Sequence, residues 1–353
     1  MTKTILILAG GTGGLVFPAL AVADVLRGRG WNVVWLGAPG SMEANLVPQH
    51  GYRMEPVSFS GLRGKGLLVK LLLPIRLLGA FRQAASAIRR TKPDVVLGMG
   101  GYISFPGGMM ASLFNRKLII HEQNSIAGLA NKVLAFFARR VLVAFPNAIP
   151  KAVHTGNPVR LSITQIASPR ERYAQRGGRL RILVVGGSLG AQALNEALPK
   201  AVALIPWGAR PEIVHQAGKR HIEELRRNYA AAEVDANCVG FIDDMAEAYA
   251  NADLVVCRAG AITIAELAAA GVAAVLVPFP SAVDDHQTMN ARYLSDRGAA
   301  ILLPQSEMTA PKLARMLIDL SRTRLAEMAD KARALGMPQA TEAVADACEA
   351  LTK

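Results

Sequence analysis

Three glycine-rich turns, each set between an apolar run and a helical segment, hold the residue types best suited to chemistry. GGTGG at residues 10–14 follows the apolar residues 5–9 and leads into a helical pattern over 18–26. GGSLG at 186–190 follows residues 182–185 and precedes a helix beginning near Gln192. CRAG at 257–260 opens a helix whose first turn exposes the N–H groups of Ala261, Ile262 and Thr263, with Ile264 and Ala265 next. Small residues at a strand-to-helix turn leave N–H groups open, and the helix dipole favours an anion there, so these turns suit phosphate or diphosphate. In the first loop the candidates are Thr12, Gly13 and Gly14, although close packing of helix on strand would also account for the glycines. In the second loop Ser188 is able to donate or accept a hydrogen bond. Glu266, in or just past the first turn of its helix, is suited either to cap it or to accept bonds from a sugar's vicinal hydroxyls. The first loop lacks GxGxxG spacing, and no acidic residue follows the next run, which ends Trp35-Leu-Gly37; a dinucleotide fingerprint is thereby excluded.

The elements that must position these loops are short, continuously apolar strands at residues 5–9, 33–36, 95–97, 118–120 and 141–143, separated mostly by helical segments. Continuous apolar strands alternating with helices indicate a parallel sheet covered on both faces. The pattern restarts after residue 160, with further strands at 182–185, 213–214, 239–241, 254–256, 275–277 and 301–303. The fold class is therefore α/β, two Rossmann-like doubly wound domains facing a cleft, with ligands at the carboxyl ends of both sheets. The boundaries fall at 1–160 and 161–337, and a helix at about 338–353 follows. The charged, glycine-containing stretch 170–181 reads as a linker or domain entrance.

At 353 residues the chain has room for two hydrophobic cores, and 51% hydrophobic against 19% charged residues excludes wholesale disorder. The formal net charge of +13 is uneven: residues 1–165 carry 19 Lys and Arg against 5 Asp and Glu, a net of +14, while residues 166–353 carry 21 against 22. The first half thus faces something anionic: nucleic acid, a phosphorylated substrate or a membrane surface. Aromatic residues make up 5% and are not interleaved with the basic run, and no nucleic-acid-binding signature is present, so nucleic acid is set aside. Residues 67–81 (LLVKLLLPIRLLGAF), with Arg63, Lys65, Lys70, Arg76, Arg82, Arg89 and Arg90 in or around them, suit either a helix with an apolar core side or a shallow membrane-surface element. No run reaches the roughly 18–20 apolar residues of a membrane span. Cys238, Cys257 and Cys348 form no metal or disulfide pattern and fit a reducing compartment.

In order and spacing, GGTGG, GGY at 100–102, HEQN at 121–124, GNPVR at 156–160, GGS at 186–188, CRAG through Glu266, and DDHQ at 284–287 with Asn290 resemble the MurG family of bacterial glycosyltransferases. The resemblance runs from about residue 4 to the C-terminus. It implies the glycosyltransferase type B fold, with the C-terminal helix crossing back onto the N-terminal domain. It also implies inverting, metal-independent transfer of N-acetylglucosamine from UDP-N-acetylglucosamine to undecaprenyl-linked lipid I, giving lipid II, without a cofactor. The implied setting is the cytoplasmic face of the bacterial inner membrane, with an anionic membrane surface and other cell-wall synthesis proteins as partners. By the same resemblance Arg160 and Ser188 contact the nucleotide or its diphosphate, and the Ile242 backbone meets the uracil. The helix start at residues 261–263 takes the diphosphate, Glu266 the ribose and Gln287 the sugar hydroxyls. Loop chemistry alone selects that same helix start for a diphosphate.

The chain departs from the family pattern at Leu15, where a histidine is usual, at Phe105 in place of glycine, and at Ser281 in place of histidine or an aromatic residue. Leucine neither moves a proton nor makes a polar contact, and general acid–base help is typically worth about 10²–10⁴ in rate. Phe105 is expected to block the acceptor or strain a glycine turn. His121, Glu122 and Tyr102 are then the candidates for the catalytic work, and Asn124 for hydrogen bonding to substrate. The alternatives are an inactive membrane-associated homologue that binds UDP-N-acetylglucosamine and an enzyme resembling UDP-N-acetylglucosamine 2-epimerase.

Overall fold

Strand β1 (Thr4–Leu8) runs parallel between β2 (Asn32–Gly37) and β4 (Val95–Gly98), with Ile5 opposite Val33 and Val95 and Ile7 opposite Trp35 and Leu97. The computed structural model describes residues 2–59, 72–187 and 190–352. Ser188, Arg63, Lys65, Lys70 and the first residues of the 67–81 run lie outside the described residues. The chain divides into two compact units, residues 1–160 with 338–353, and residues 161–337.

In chain order the first unit holds β1, α1 (Gly13–Gly28), β2, α2 (Met42–Gln49), β3 (Arg53–Pro56), α3 (Leu73–Thr91), β4, α4 (Ser104–Leu113), β5 (Lys117–Glu122), α5 (Leu129–Leu134), β6 (Arg140–Val143) and β7 (Val153–His154). Its sheet is all parallel, in the order β3-β2-β1-β4-β5-β6-β7. Both faces are covered, which is why the strands read as unbroken apolar runs. Ile5, Ile7, Val33, Trp35 and Leu97 pack with α1, while Leu6, Leu8, Val34, Leu36 and Val96 pack with α3 and α4. Residues 5–8 have no exposed surface, and each such aliphatic side chain contributes about 1.5–3 kcal/mol.

The second unit holds α6 (Leu161–Thr164), α7 (Pro169–Ala174), β8 (Arg181–Val185), α8 (Gln192–Ala203), β9 (Glu212–Gln216), α9 (Ile222–Ala231), β10 (Asn237–Val239), α10 (Met245–Asn251), β11 (Leu254–Cys257), α11 (Ala261–Ala270), β12 (Ala274–Leu276), α12 (His286–Ser295), β13 (Ile301–Leu302), α13 (Ala310–Asp319) and α14 (Arg322–Leu335). Its sheet is again all parallel, ordered β10-β9-β8-β11-β12-β13.

Helix α15 (Ala340–Ala350) belongs to the first unit, where Val344, Ala345, Ala347 and Cys348 join the core against α1. Arg29 ties it down by ion pairs to Glu342, Asp346 and Glu349, and Trp31 Nε1 donates to Glu349 at 3.2 Å.

Stretch 170–181 is not a linker. Ser168 and Glu171 form a capping box that starts α7, Arg172 donates to the carbonyls of Tyr249 and Ala270, and Arg176 pairs with buried Asp253 at 2.8 Å. Within the second unit Arg181 also pairs with Glu212 at 3.6 Å and Arg179 lies over the Trp207 ring, so most of these charges are engaged in the fold. The strand read at 239–241 pairs instead over 237–239, because Phe241 turns outward and is half exposed. Edge strands β3 and β7 are short and polar, so apolar runs give no sign of them.

Candidate functional site

In the second unit a cavity of about 660 Å³ opens at the carboxyl ends of β8 and β11, lined among others by Gly186, Gly187, Gly190, Arg258, Gly260, Thr263, Phe279, Gln287 and Gln305. The glycine turn is dictated by space: a Cβ on Gly190, whose φ is +79°, would lie 1.9 Å from the Ala217 carbonyl oxygen. Gln216, from the end of β9, donates to the Gly187 and Gly240 carbonyls at 3.0 and 3.3 Å, fixing the loop from behind. Across the cavity Gly260 caps α11 in extended conformation with no side-chain cap, so the first-turn amides of Ala261, Ile262 and Thr263 lead the helix toward the opening.

Glu266 is the sixth residue of α11, too far along to cap it. It is buried and accepts from the Tyr249 hydroxyl at 3.1 Å, which removes the capping alternative and orients the carboxylate. Ile264 has no exposed surface, and its N–H bonds the Gly260 carbonyl to close the first turn of the helix. Ala265 is half-buried beside it. Gln287 accepts from the Phe279 N–H at 2.9 Å, and the Arg258 guanidinium donates to the Val277 and Pro278 carbonyls and to Gln305 while lying 5.5 Å from the Phe279 ring centre. Arg258 and Gln216 were missed from the sequence; the one sits in the CRAG turn and was a legible signal, whereas the other lies far from the loop it braces. Ile242 is not among the residues around this cavity. It lines a second one of about 570 Å³ with Val214, Val239, Phe241 and Ala248.

In the first unit Thr12 precedes α1 in extended conformation without a side-chain cap bond, and its carbonyl accepts from the Leu15 and Val16 N–H groups. Gly13 and Gly14 form the first turn of that helix. The GGY loop presses on this one: a Cβ on Gly101, φ +85°, would lie 2.2 Å from the Gly10 carbonyl oxygen, and one on Gly11 3.3 Å from the Tyr102 ring. Tyr102 keeps 48% of its surface exposed. Buried Glu43 accepts from the Gly11 and Ala38 N–H groups at 3.1 and 3.2 Å, a brace the sequence did not reveal.

His121 and Glu122 end β5, both buried. His121 Nε2 lies 2.9 Å from the Gly156 carbonyl oxygen, and burial pushes its pKa down to about 4. Glu122 accepts from the Asn124 N–H at 2.9 Å, the Gly128 N–H at 3.1 Å and Asn131 Nδ2 at 2.9 Å; burial outweighs these bonds and raises its pKa. Both side chains are almost wholly enclosed in the first unit, and the Glu122 carboxylate shapes the loop that carries Asn124. Arg160, the last residue of the first unit before α6, has its guanidinium 5.9 Å from the Phe17 ring centre on α1.

The N-terminal domain model of glycosyltransferase family 28 matches residues 5–143 and the C-terminal domain model residues 181–350. A protein of Cupriavidus metallidurans named UDP-N-acetylglucosamine--N-acetylmuramyl-(pentapeptide) pyrophosphoryl-undecaprenol N-acetylglucosamine transferase is 63% identical, over 99% of this chain and 98% of its own. A protein of the same name from Dechloromonas aromatica is 61% identical over the full length of both. The crystal structure of Acinetobacter baumannii MurG shares 42% identity, with a TM-score of 0.86 and 99% of each chain covered. The chain belongs to the MurG family. A UDP-N-acetylglucosamine 2-epimerase structure described as putative, from Listeria monocytogenes, has a TM-score of 0.65 at 15% identity, which is a likeness of fold alone.

Against the MurG pattern the departures take different physical forms. Phe105 neither strains a turn nor needs a glycine conformation: it is the second residue of α4, in helical backbone, with its ring centre 6.0 Å from that of Phe81. Ser281 is exposed on the loop that follows Phe279. Leu15 is the third residue of α1 and half-buried.

Proposed function

We propose that this chain transfers N-acetylglucosamine from UDP-N-acetylglucosamine to undecaprenyl-linked lipid I, giving lipid II with inversion at the anomeric carbon. The acceptor hydroxyl oxygen bonds to that carbon, the bond to the diphosphate oxygen breaks with its electron pair, and UDP departs. The hydroxyl proton passes to a base.

The observation that carries the donor half of this reading is the uncapped start of α11 facing the cavity, with Tyr249-held Glu266 one and a half turns on. First-turn N–H groups aimed at the diphosphate stabilise the charge that grows on it as it leaves. Glu266 accepts from the ribose hydroxyls, Gln287 meets the sugar, and Ile242 the uracil. Thr12, Gly13, Gly14, Tyr102 and Asn124 serve the acceptor in the first unit, with Glu122 acting through the loop it braces. Ser188 and Arg160 complete the nucleotide contacts.

The first unit is the membrane-facing one. Its helix α3 presents Ile75 and Leu78, 68% and 51% exposed, beside Arg76 and Arg82. Apolar side chains entering the interface, with basic ones worth about 1 kcal/mol each near anionic lipid, give peripheral attachment at the cytoplasmic face of the inner membrane. No described helix is long and apolar enough to cross a membrane.

The test is turnover of labelled UDP-N-acetylglucosamine with a short-chain lipid I analogue. Formation of the lipid II disaccharide supports the assignment. UDP binding without transfer, in the chain and in a Leu15→His variant alike, supports the inactive homologue, the second reading that Leu15 motivates.

A further inference from the structure

Gln123 is a buried side chain that the chemistry above does not use. It has 1% of its surface exposed, and among the described residues neither its carbonyl oxygen nor its amide nitrogen has a hydrogen-bond partner. Two neighbours in sequence or space are half-satisfied in the same way. His121 Nδ1 is buried and unpaired while Nε2 is bound, and Asn131 Oδ1 is buried and unpaired while Nδ2 is bound to Glu122. Native interiors leave few buried polar groups unpaired, because the lost contact with water is not repaid, so such a group calls for an explanation.

The explanation lies beside Gly100. A Cβ placed on that residue would be 3.4 Å from Gln123 Oε1, 3.4 Å from Leu15 Cδ2 and 3.8 Å from Asn131 Nδ2. The Leu15 methyl and two buried amide side chains therefore converge on one spot, and the leucine offers neither donor nor acceptor there. Leu15 is half-buried, so position 15 has both this interior amide group and solvent within its reach.

We infer that position 15 is built to hold a hydrogen-bonding side chain anchored by the Gln123 amide, that Gln123 is a positioning residue for the transfer reaction, and that Leu15 disconnects it in this chain. The inference rests on the transferase reading above. It assigns to Gln123 a role through residue 15 and no contact with substrate.

The experiment compares the full chain with Leu15→His, Leu15→Asn, Gln123→Met and the Leu15→His/Gln123→Met double variant. Readouts are turnover with UDP-N-acetylglucosamine and a soluble lipid I analogue, and thermal unfolding. Leu15→His is expected to raise kcat by about 10²-fold, with the KM for UDP-N-acetylglucosamine unchanged and a new acid limb in the pH profile that Leu15→Asn lacks. Gln123→Met removes most of that gain in the double variant. In thermal unfolding the same substitution leaves Tm unchanged or higher beside Leu15, but lowers it by about 2–4 °C in the Leu15→His background. An equal effect of Gln123→Met in both backgrounds, in rate and in Tm, overturns the pairing. If no variant transfers sugar although all bind UDP, the transferase reading fails by itself; the Tm cycle then decides the pairing, with coupling supporting it and additivity overturning it.

Discussion

The Tyr249 hydroxyl on α10 donates to the Glu266 carboxylate on α11 at 3.1 Å, both side chains buried. One helix thereby sets the direction of a carboxylate carried by its neighbour, on the helix whose uncapped first turn lines the cavity. Tyr249→Phe keeps the packing and deletes the bond. Loss of a hydrogen bond to a charged group, at about 1.5–3 kcal/mol, corresponds to a rise of about tenfold or more in the KM for UDP-N-acetylglucosamine. Steady-state kinetics should show kcat nearly unchanged, and calorimetric titration with UDP should show the same weakening.

Gly190→Ala forces a Cβ into the Ala217 carbonyl at a φ of +79°. A strained left-handed residue alone costs about 1–3 kcal/mol, and relief of the clash displaces the loop from the cavity. UDP affinity should fall at least tenfold, and Tm by several degrees. Gln216→Leu, which removes the brace on Gly187 without a clash, should weaken UDP binding with a smaller change in Tm.

Acid should destabilise the fold through two buried histidines. Burial pushes the pKa of His121 down to about 4 and that of His215 down to about 3. Both are neutral in the folded chain, whereas in the unfolded chain each takes up a proton near pH 6.5. The unfolded state thus binds more protons below that pH, and stability, full above it, is lost as pH falls toward 4 and then 3. Urea denaturation midpoints measured from pH 7 to pH 5 should decline. His215→Gln should flatten the profile, and an unchanged slope would sink the assignment of that residue.

Asp253 gives a second acid limb at lower pH. Burial alone would raise its pKa, but the Arg181 N–H, Arg322 and Arg176 outweigh it and hold the carboxyl below its ordinary value. Its contribution is present above the unfolded value of about 3.9 and is lost as pH falls through the folded one. Asp253→Asn should destabilise most at neutral pH and least in acid, read from the same titrations.

For the membrane face, Ile75→Glu with Leu78→Glu places carboxylates where α3 is most apolar and exposed. Co-sedimentation with vesicles containing anionic lipid should drop about tenfold or more while transfer to a water-soluble acceptor persists. Binding by the unaltered chain should weaken with salt, because screening shortens the reach of the basic residues. Salt-insensitive binding would argue against a charged surface.

Much of the fold was legible because parallel strands covered on both faces leave an unbroken apolar run for each strand, bounded by glycine turns, as at residues 5–9 and 182–185. The start of α11 was legible for a related reason: a strand end, a glycine and a helix are contiguous in the chain. Strands β3 and β7 were not, since edge pairing needs only backbone groups and leaves little apolar signal. The stretch 170–181 reads as a linker or domain entrance because composition does not say which carbonyls and carboxylates wait for its arginines.

By itself the sequence determined the two wound halves, their glycine turns, the excess of positive charge in the first half and the family whose motifs they carry. Only tertiary structure decided which side chains are left to act. His121 and Glu122 stand beside an eligible loop in sequence, yet burial and short-range bonds turn them inward. Phe105 looked like a strained intruder and is an ordinary helical residue packed near Phe81. Leu15 is a substitution visible in the sequence, but that it lies beside the unpaired amide of Gln123, more than a hundred positions away, could be seen only after folding. Periodicity and local chemistry travel along the chain, whereas burial and hydrogen-bond satisfaction depend on neighbours that the fold brings together.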